Sequence, residues 1–184
     1  MSQQPQQKTL FARLMAFAPL AVFVALGALF AFGMFGQRVD RHASPLVGQP
    51  APEAVLPALD GSTFDLAAYR GRPVILNVFA SWCAPCRLEH PQLIQMSRDP
   101  RFVVIGLAYR DDPVDTAAFL EELGNPFAAV AIDRQGAAAV RFGLTGVPET
   151  YVIDANGIVI RKFTGEITPR DAVELTRLAA GAGS

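Results

Sequence analysis

A run of 24 residues without a charged side chain, positions 14–37, divides this 184-residue chain into two unequal parts. As a helix rising about 1.5 Å per residue, the run exceeds the roughly 30 Å hydrocarbon core of a bilayer. A cleaved signal peptide is the alternative, but its apolar region normally spans only about 7–15 residues. The residues at the exit, GMFGQRVD, also lack an A-x-A-like cleavage site. The run therefore favours one uncleaved transmembrane helix ahead of a globular domain.

The charges around this run bear on its orientation. Lys8 and Arg13 precede it and Arg38 and Arg41 follow it, so the basic residues that normally set orientation are equal in number. The short N-terminal tail favours an inside N-terminus and an outside domain. We therefore expect four segments: a cytoplasmic tail (residues 1–13), a transmembrane anchor (14–37), a polar, proline-rich tether (38–52) and a globular domain (53–184).

Strand patterns alternate with helix patterns along the domain. Dense runs of β-branched and apolar residues at 73–79 and 102–108 are typical of strands covered on both faces. Asn156-Gly157 between two apolar runs is typical of a β-hairpin. The alternation predicts an α/β fold in which helices flank a mixed sheet. The expected strands are 54–59, 73–79, 102–108, 128–132, 149–154 and 157–163, and the expected helices are 64–69 (one turn), 86–97, 113–123, 137–142 and 168–180.

The two cysteines of the chain, Cys83 and Cys86, lie where the first buried strand runs into the following helix. Side chains three residues apart at a helix start share one face, close enough to form a disulfide. The N–H groups and the dipole of the helix stabilise a thiolate at Cys83, whereas Cys86, one turn inside, is the more shielded thiol. Pro85 stiffens the intervening turn, and Trp82 can cover one side of the pair. The pattern predicts a redox-active dithiol in which Cys83 attacks and Cys86 resolves.

Three other uses of the cysteines fit the spacing less well. A structural disulfide normally joins distant segments, because closing a two-residue gap constrains the unfolded chain little. A zinc site could recruit His90, but the chain has no further cysteine and His42 lies in the expected tether. Haem attachment requires a histidine directly after the second cysteine, where this chain has Arg87. We expect no bound metal and no cofactor beyond the Cys83–Cys86 pair.

Four segments carry a resemblance to a known family. NVFASWCAPCRLEHPQL resembles the active-site segment of membrane-anchored thioredoxin-like proteins, and YRDDPVDTAAFLEELGNPF, GLTGVPETYVID and the closing helix narrow the choice. Over residues 40–180 the chain resembles the cytochrome c biogenesis thiol:disulfide interchange proteins, the CcmG/DsbE family. The resemblance implies a thioredoxin-like domain in the periplasm, anchored by a single pass in the bacterial inner membrane.

The same resemblance implies a function and partners. It points to a reductase that keeps the haem-binding cysteines of apocytochrome c reduced, directly or through an intermediary thiol protein. It also implies that a membrane reductant of the DsbD or CcdA type recharges the cysteine pair.

The resemblance further implies roles for residues outside the cysteine pair. Pro148 matches a cis-proline that faces the disulfide, and Val147 would offer backbone hydrogen bonds to an extended client peptide. Glu89 and Glu149 match acidic positions near the active site, although a solvated surface carboxylate is the alternative for each. Asn77 stands where thioredoxins generally carry a buried Asp, six residues before the first cysteine. Because an amide is not a proton acceptor, we expect proton transfer at the resolving thiol to use water or another carboxylate.

Three alternative functions stay open on the sequence. A reductase of the TlpA or ResA type would serve another client, such as a copper-site protein. A metallochaperone would use Cys83 and Cys86 as soft ligands for Cu(I). A peroxiredoxin-like peroxidase would need Thr three residues before its cysteine, where this chain has Ala80. A nucleic-acid partner is not expected, because the net charge is −1 and no cluster of Lys or Arg occurs.

Overall fold

The structure, a computed structural model, describes residues 19, 22–27, 29–30 and 44–183. Its contacts divide the chain into two units, residues 1–40 and 41–184. Nine described residues fall within the predicted anchor, and all nine are helical. The predicted tail (1–13), the rest of the anchor and residues 38–43 of the tether lie outside the described residues. Across the described part of the chain, we find no helix with the length and apolar character needed to span a membrane.

A short hairpin opens the second unit. Strand β1 (Val55–Pro57) pairs antiparallel with β2 (Thr63–Asp65), and a 3-10 helix (Leu66–Tyr69) follows. Asp65 caps this helix by accepting a hydrogen bond from the Ala67 N–H at 2.9 Å. The sequence predicts one helical turn over 64–69, so the strand β2 at its start was missed.

The main sheet has five strands: β3 (Val74–Phe79), β4 (Val103–Tyr109), β5 (Ala129–Asp133), β6 (Glu149–Ile153) and β7 (Val159–Thr164). Their order across the sheet is β5-β4-β3-β6-β7. The first three run parallel to one another, whereas β6 and β7 pair antiparallel with their neighbours. The predicted mixed sheet is confirmed, and β3 lies at its centre.

Helices cover both faces of this sheet: α1 (Ala84–Met96), α2 (Pro113–Leu123), α3 (Ala137–Arg141) and α4 (Pro169–Gly181). On one face, Ile75 and Phe79 of β3 belong to a core cluster with apolar residues of α1, α2 and α4. On the other face, Leu76 of β3 belongs to a second cluster with residues of α3 and the 3-10 helix. Successive residues of β3 point to opposite faces of the sheet, and both faces are covered. Every residue of β3 is therefore buried.

The last part of the predicted tether is attached to the domain. The Gly48 N–H donates to the carbonyl of Val159 at 2.8 Å, and the Val159 N–H donates to the carbonyl of Gln49 at 2.9 Å. The Ala51 N–H donates to the carbonyl of Gly157 at 2.8 Å. Residues 48–51 of the predicted tether (38–52) therefore belong to the folded domain, because their backbone pairs with the edge of β7 and the turn before it.

Candidate active site

Cys83 and Cys86 form a disulfide at the N-terminus of α1, with their Cα atoms 5.3 Å apart. Cys83 is the N-cap residue, and its Sγ accepts a hydrogen bond from the backbone N–H of Cys86 at 3.1 Å. The helix begins at Ala84, two residues before the predicted start, because Ala84 and Pro85 form its first turn. The sulfur of Cys83 therefore faces N–H groups that stabilise its thiolate once the disulfide is reduced.

Both cysteines are buried in the disulfide form. The exposed fraction is 4% for Cys83 and 2% for Cys86. In this oxidised form the exposed fractions differ by only 2%, and the expectation that Cys83 is the more exposed thiol of the reduced protein stays a prediction. The two residues belong to one core cluster, against which the side chain of Val147 also packs.

The residues just before Cys83 are held by the loop that follows β4. Trp82 is 59% exposed, and its indole Nε1–H donates to the carbonyl of Arg110 at 3.3 Å. The Asp111 carboxylate accepts hydrogen bonds from the Ser81 N–H at 2.6 Å and from the Ser81 hydroxyl at 2.7 Å. It also accepts from the Thr116 hydroxyl at 3.0 Å, and it is almost fully buried. This loop therefore sets the approach of the chain to Cys83.

Glu89 lies one helical turn beyond Cys86 on α1 and is fully buried, so the alternative of a solvated surface carboxylate is wrong. Its Oε1 accepts a hydrogen bond from Asn77 Nδ2 at 2.8 Å, and its Oε2 accepts one from the Ile167 N–H at 2.9 Å. Burial raises the pKa of the Glu89 carboxyl to about 7, although both hydrogen bonds act in the opposite direction. The group can therefore change protonation state near neutral pH.

Asn77 lies in the middle of β3 on the face that carries α1. Its Nδ2 also donates to the hydroxyl of Thr150 at 3.0 Å, while its buried Oδ1 has no hydrogen-bond partner among the described atoms. Both Asn77 and Thr150 are fully buried. The amide thus connects the carboxyl of α1 to β6 in the interior behind the cysteine pair.

Glu149 is also fully buried, but it lies on the opposite face of the sheet from Glu89. Its Oε2 is 2.9 Å from Nζ of Lys162, a buried lysine of β7. The hydroxyl of Tyr151 lies 2.8 Å from the same oxygen. The predicted acidic position at Glu149 is therefore neutralised by a charge partner and lies on the other face of the sheet from the cysteines. It is not a solvated carboxylate either.

The loop from Phe142 to Pro148 leads into β6. The Val147–Pro148 peptide bond is cis, which confirms that part of the prediction for Pro148. Pro148 is buried, and its carbonyl accepts a hydrogen bond from the Gly165 N–H at 2.9 Å. Val147 is partly buried and packs against the cluster that contains both cysteines. Its role towards a client peptide stays a prediction.

His90, the histidine that a zinc site could recruit, is packed into the core between α1 and α2. Its ring is almost fully buried, its Nε2 is 2.7 Å from the carbonyl oxygen of Gly124, and its edge packs against the Phe119 ring. Burial lowers the pKa of His90 below its usual range. No group of three or more His, Cys, Asp or Glu side chains in the described residues is placed to hold a metal ion.

Three residues around the site were missed by sequence reasoning. Asp111, Thr150 and Lys162 all make buried polar contacts to elements that carry predicted site residues. Asp111 follows a buried strand parallel to β3, and the carboxyl ends of parallel strands meet at one edge of a sheet. That signal could have identified Asp111. We find no comparable local signal for Lys162.

Comparison with known proteins places this geometry in a family. A family model described as Redoxin matches residues 46–177. A thiol:disulfide interchange protein CycY from Rhizobium leguminosarum bv. viciae is 38% identical over 165 residues, which cover 84% of this chain and 86% of that protein. The chain belongs to the redoxin family, among the thiol:disulfide interchange proteins.

Further members of this family agree with the assignment. Thiol:disulfide interchange protein DsbE of Escherichia coli K12 is 36% identical over 159 residues, with 83% of this chain and 85% of that protein covered. The crystal structure of a candidate DsbE from Chlorobium tepidum matches with a TM-score of 0.65 and 32% identity, over 73% of this chain and 96% of the other. The predicted thioredoxin-like α/β fold is confirmed, and this interchange protein is a thiol-disulfide oxidoreductase.

Proposed function

We propose that this oxidoreductase works as a reductase that keeps the haem-binding cysteines of apocytochrome c reduced during cytochrome c maturation. The observation that carries the proposal is the Cys83–Cys86 disulfide at the start of α1, with the buried Glu89 carboxyl one turn beyond it. A carboxyl that titrates near neutral pH can take up and return the proton of the resolving thiol. The choice of client is supported by the sequence resemblance to the cytochrome c biogenesis proteins.

The proposed reaction is a two-step thiol-disulfide exchange. The Cys83 thiolate attacks one sulfur of the client disulfide, and the other client sulfur leaves as a thiolate and takes up a proton. Cys86 then passes its proton to Glu89 and attacks the Cys83 sulfur, which releases the second client sulfur. Two electrons have moved to the client, and the Cys83–Cys86 disulfide is the oxidised product. No cofactor beyond this pair is needed for the reaction.

The cycle needs a reductant that restores the dithiol. We propose that a membrane reductant of the DsbD or CcdA type supplies two electrons by the same exchange at Cys83, while two protons restore the thiols. An intermediary thiol protein of the maturation system can stand between this chain and apocytochrome c, because each exchange has the same chemistry.

We further propose that the client docks as an extended peptide against Val147 and Pro148. The support is that Val147 packs against the cluster containing the cysteines and that residues 143, 145 and 146 of the loop carrying it are exposed. Exposed Trp82 and Pro85 lie beside the disulfide in the chain and supply apolar surface for the same client.

We propose that residues 14–37 anchor the protein by a single pass in the bacterial inner membrane, with residues 53–184 in the periplasm. The support is the uncharged run itself, together with exposed apolar side chains such as Phe23 and Leu29 in its described helical residues. Alkaline phosphatase fused to the C-terminus should be active in intact cells, and the fusion should resist extraction with carbonate. Inactive fusions, or release by carbonate, would contradict this placement.

A trapping experiment tests the proposed function. In the full chain, Cys86→Ser leaves Cys83 able to attack a client disulfide but removes the thiol that would release it. We expect mixed disulfides with an apocytochrome or a thiol protein of the maturation system, and with the membrane reductant. Cys83→Ser is the matched control and should trap neither. Cells with either substitution should lack covalently attached haem and keep non-covalent haem proteins.

The identity of the trapped proteins separates the alternatives. Adducts dominated by copper-site proteins would favour a reductase of the TlpA or ResA type. Absence of any thiol-sensitive adduct, together with tight Cu(I) binding by the reduced protein, would favour a metallochaperone.

A further inference from the structure

We infer that the buried charge pair of Glu149 and Lys162, together with Tyr151, positions the loop that docks the client. This inference rests on the proposed docking at Val147 and Pro148. The pair lies on the face of the sheet opposite α1, so it acts through the loop and does not touch the reacting sulfurs.

The pair holds the loop at two points. Lys162 Nζ donates to the carbonyl oxygen of Gly143 at 2.8 Å. Glu149 Oε1 accepts hydrogen bonds from the Thr145 N–H at 3.2 Å and from the Thr145 hydroxyl at 2.5 Å. Because Glu149 and Lys162 belong to adjacent strands, these bonds tie the loop to β6 and β7 just before Val147.

Tyr151 extends the attachment to the start of the loop. Its hydroxyl lies 2.9 Å from the carbonyl oxygen of Phe142 and 2.8 Å from Glu149 Oε2. Lys162 Nζ lies 5.5 Å from the centre of the Tyr151 ring, a cation–π distance. Three buried side chains thus form one network that contacts the loop at residues 142, 143 and 145, and Glu149 Oε1 also accepts a hydrogen bond from the Thr164 hydroxyl of β7 at 3.3 Å.

The burial of this network argues for a positioning role. Replacing a buried ion pair by apolar residues is often neutral for stability, because desolvation offsets the attraction of the charges. Hydrogen bonds to loop atoms are directional, whereas apolar packing is not. Loop residues Gly143, Thr145 and Gly146 are exposed, so the network replaces the packing that they lack. A docking loop held in this way presents Val147 in one orientation.

The test uses the full chain in detergent, reduced beforehand, in single-turnover reactions with two oxidants. One is an unfolded peptide with a disulfide, and the other is a small aromatic disulfide that needs no docking loop. We compare Lys162→Met, the double variant Glu149→Gln/Lys162→Met, and Tyr151→Phe. The double variant leaves no unpaired buried charge, so it keeps the test valid if Lys162→Met fails to fold. Arg161→Met is the matched control, because Arg161 lies in the same strand but pairs with Glu174.

For the double variant, we expect the second-order rate constant for reduction of the peptide to fall about tenfold. The fall should come from a higher half-saturating peptide concentration and not from a lower maximal rate, as expected for the loss of a positioning hydrogen bond. Tyr151→Phe should show a smaller change in the same direction. The small disulfide should react at the wild-type rate in every variant, and Arg161→Met should match wild type with both oxidants. Equal losses with both oxidants, or no loss with the peptide, would overturn the inference.

Hydrogen exchange separates this inference from the proposed function. In the mixed disulfide between Cys86→Ser and the peptide, the backbone amides of residues 145–147 should be protected from exchange relative to the unmodified protein. Lack of protection there would refute the proposed docking site itself. Protection there, combined with a wild-type peptide rate in the double variant, would refute only the positioning role of the charge pair.

Discussion

Asn77 donates a 2.8 Å hydrogen bond from its Nδ2 to Oε1 of Glu89, and both side chains are fully buried. Because Asn77 stands in place of an acid, the sequence predicts that proton transfer uses water or another carboxylate. The structure places such a carboxylate on α1, one turn beyond Cys86, with the amide holding it. The acid thus belongs to the same helix as the thiol that it is proposed to serve.

The first prediction concerns stability against pH in the oxidised protein. Burial raises the pKa of Glu89 from 4.5 to about 7, so the folded state binds this proton more tightly than the unfolded state. Stability from this group is fully present below pH 4.5 and is lost as the pH rises through about 7. Between those limits the loss is on the order of 3 kcal/mol. Chemical unfolding of wild type and Glu89→Gln at several pH values measures it.

Comparing wild type with Glu89→Gln separates the pH dependence of stability due to Glu89 from that due to His90. Burial lowers the pKa of His90, so His90 gives the opposite dependence, with stability that is lost as the pH falls through its range. Both proteins share that contribution. If the stability difference between them is constant from pH 4 to 8, the raised pKa of Glu89 is refuted.

The second prediction concerns the release of the client. Because Glu89 is the proposed proton acceptor of Cys86, Glu89→Gln should slow resolution of the mixed disulfide about a hundredfold near pH 7. Rapid quenching, with alkylation of the released peptide thiol, measures the rate. Glu122→Gln is the control, since Glu122 is an exposed carboxylate that pairs with Arg87 on the surface. Equal rates in Glu89→Gln and wild type would exclude the proposed proton acceptor.

The third prediction concerns the two thiols of the reduced protein. Cys83 caps α1 and should have the lower thiol pKa, so it should be alkylated before Cys86 at neutral pH. Timed alkylation followed by mass spectrometry of peptides measures the order. We also expect the couple to be reducing, as measured by equilibration with glutathione. Faster alkylation at Cys86 would reverse the assigned roles.

The fourth prediction concerns the loop after β4. Asp111→Ala leaves the Ser81 N–H and the Ser81 and Thr116 hydroxyls without their acceptor, so we expect a loss of about 2–4 kcal/mol in unfolding free energy. The fluorescence of Trp82 should also change, because Ser81, the residue before it, loses its hydrogen bonds to Asp111. Asp115→Ala, at an exposed position of α2, should stay within about 0.5 kcal/mol of wild type. Similar losses in both variants would show that Asp111 does not hold this loop.

The central strands and the cysteine pair could be predicted because their signals are local. A dense apolar run predicts a buried strand, and a cysteine pair at a strand–helix junction predicts a redox site. The strand β2 was missed because its three residues carry no strand pattern of their own and form a strand only through pairing with β1.

The face on which a side chain lies was the harder part of the site. The resemblance treats Glu89 and Glu149 alike, yet β6 places Thr150 beside Asn77 and therefore turns Glu149 to the other face. Alternation along β6 could have predicted this, had the strand register been known. Lys162, the charge partner of Glu149, could be identified only from the pairing of β6 with β7, and no local sequence pattern specifies that pairing.

Segments before the main sheet cover part of each of its edges. The Leu59 N–H, just after β1, donates to the carbonyl of Val130 in β5 at 2.9 Å, and residues 48 and 49 pair with Val159 in β7. An unfolded client cannot add itself as a further strand where these segments lie. The paired segments thereby protect those stretches of the sheet edges from templating edge-to-edge aggregation.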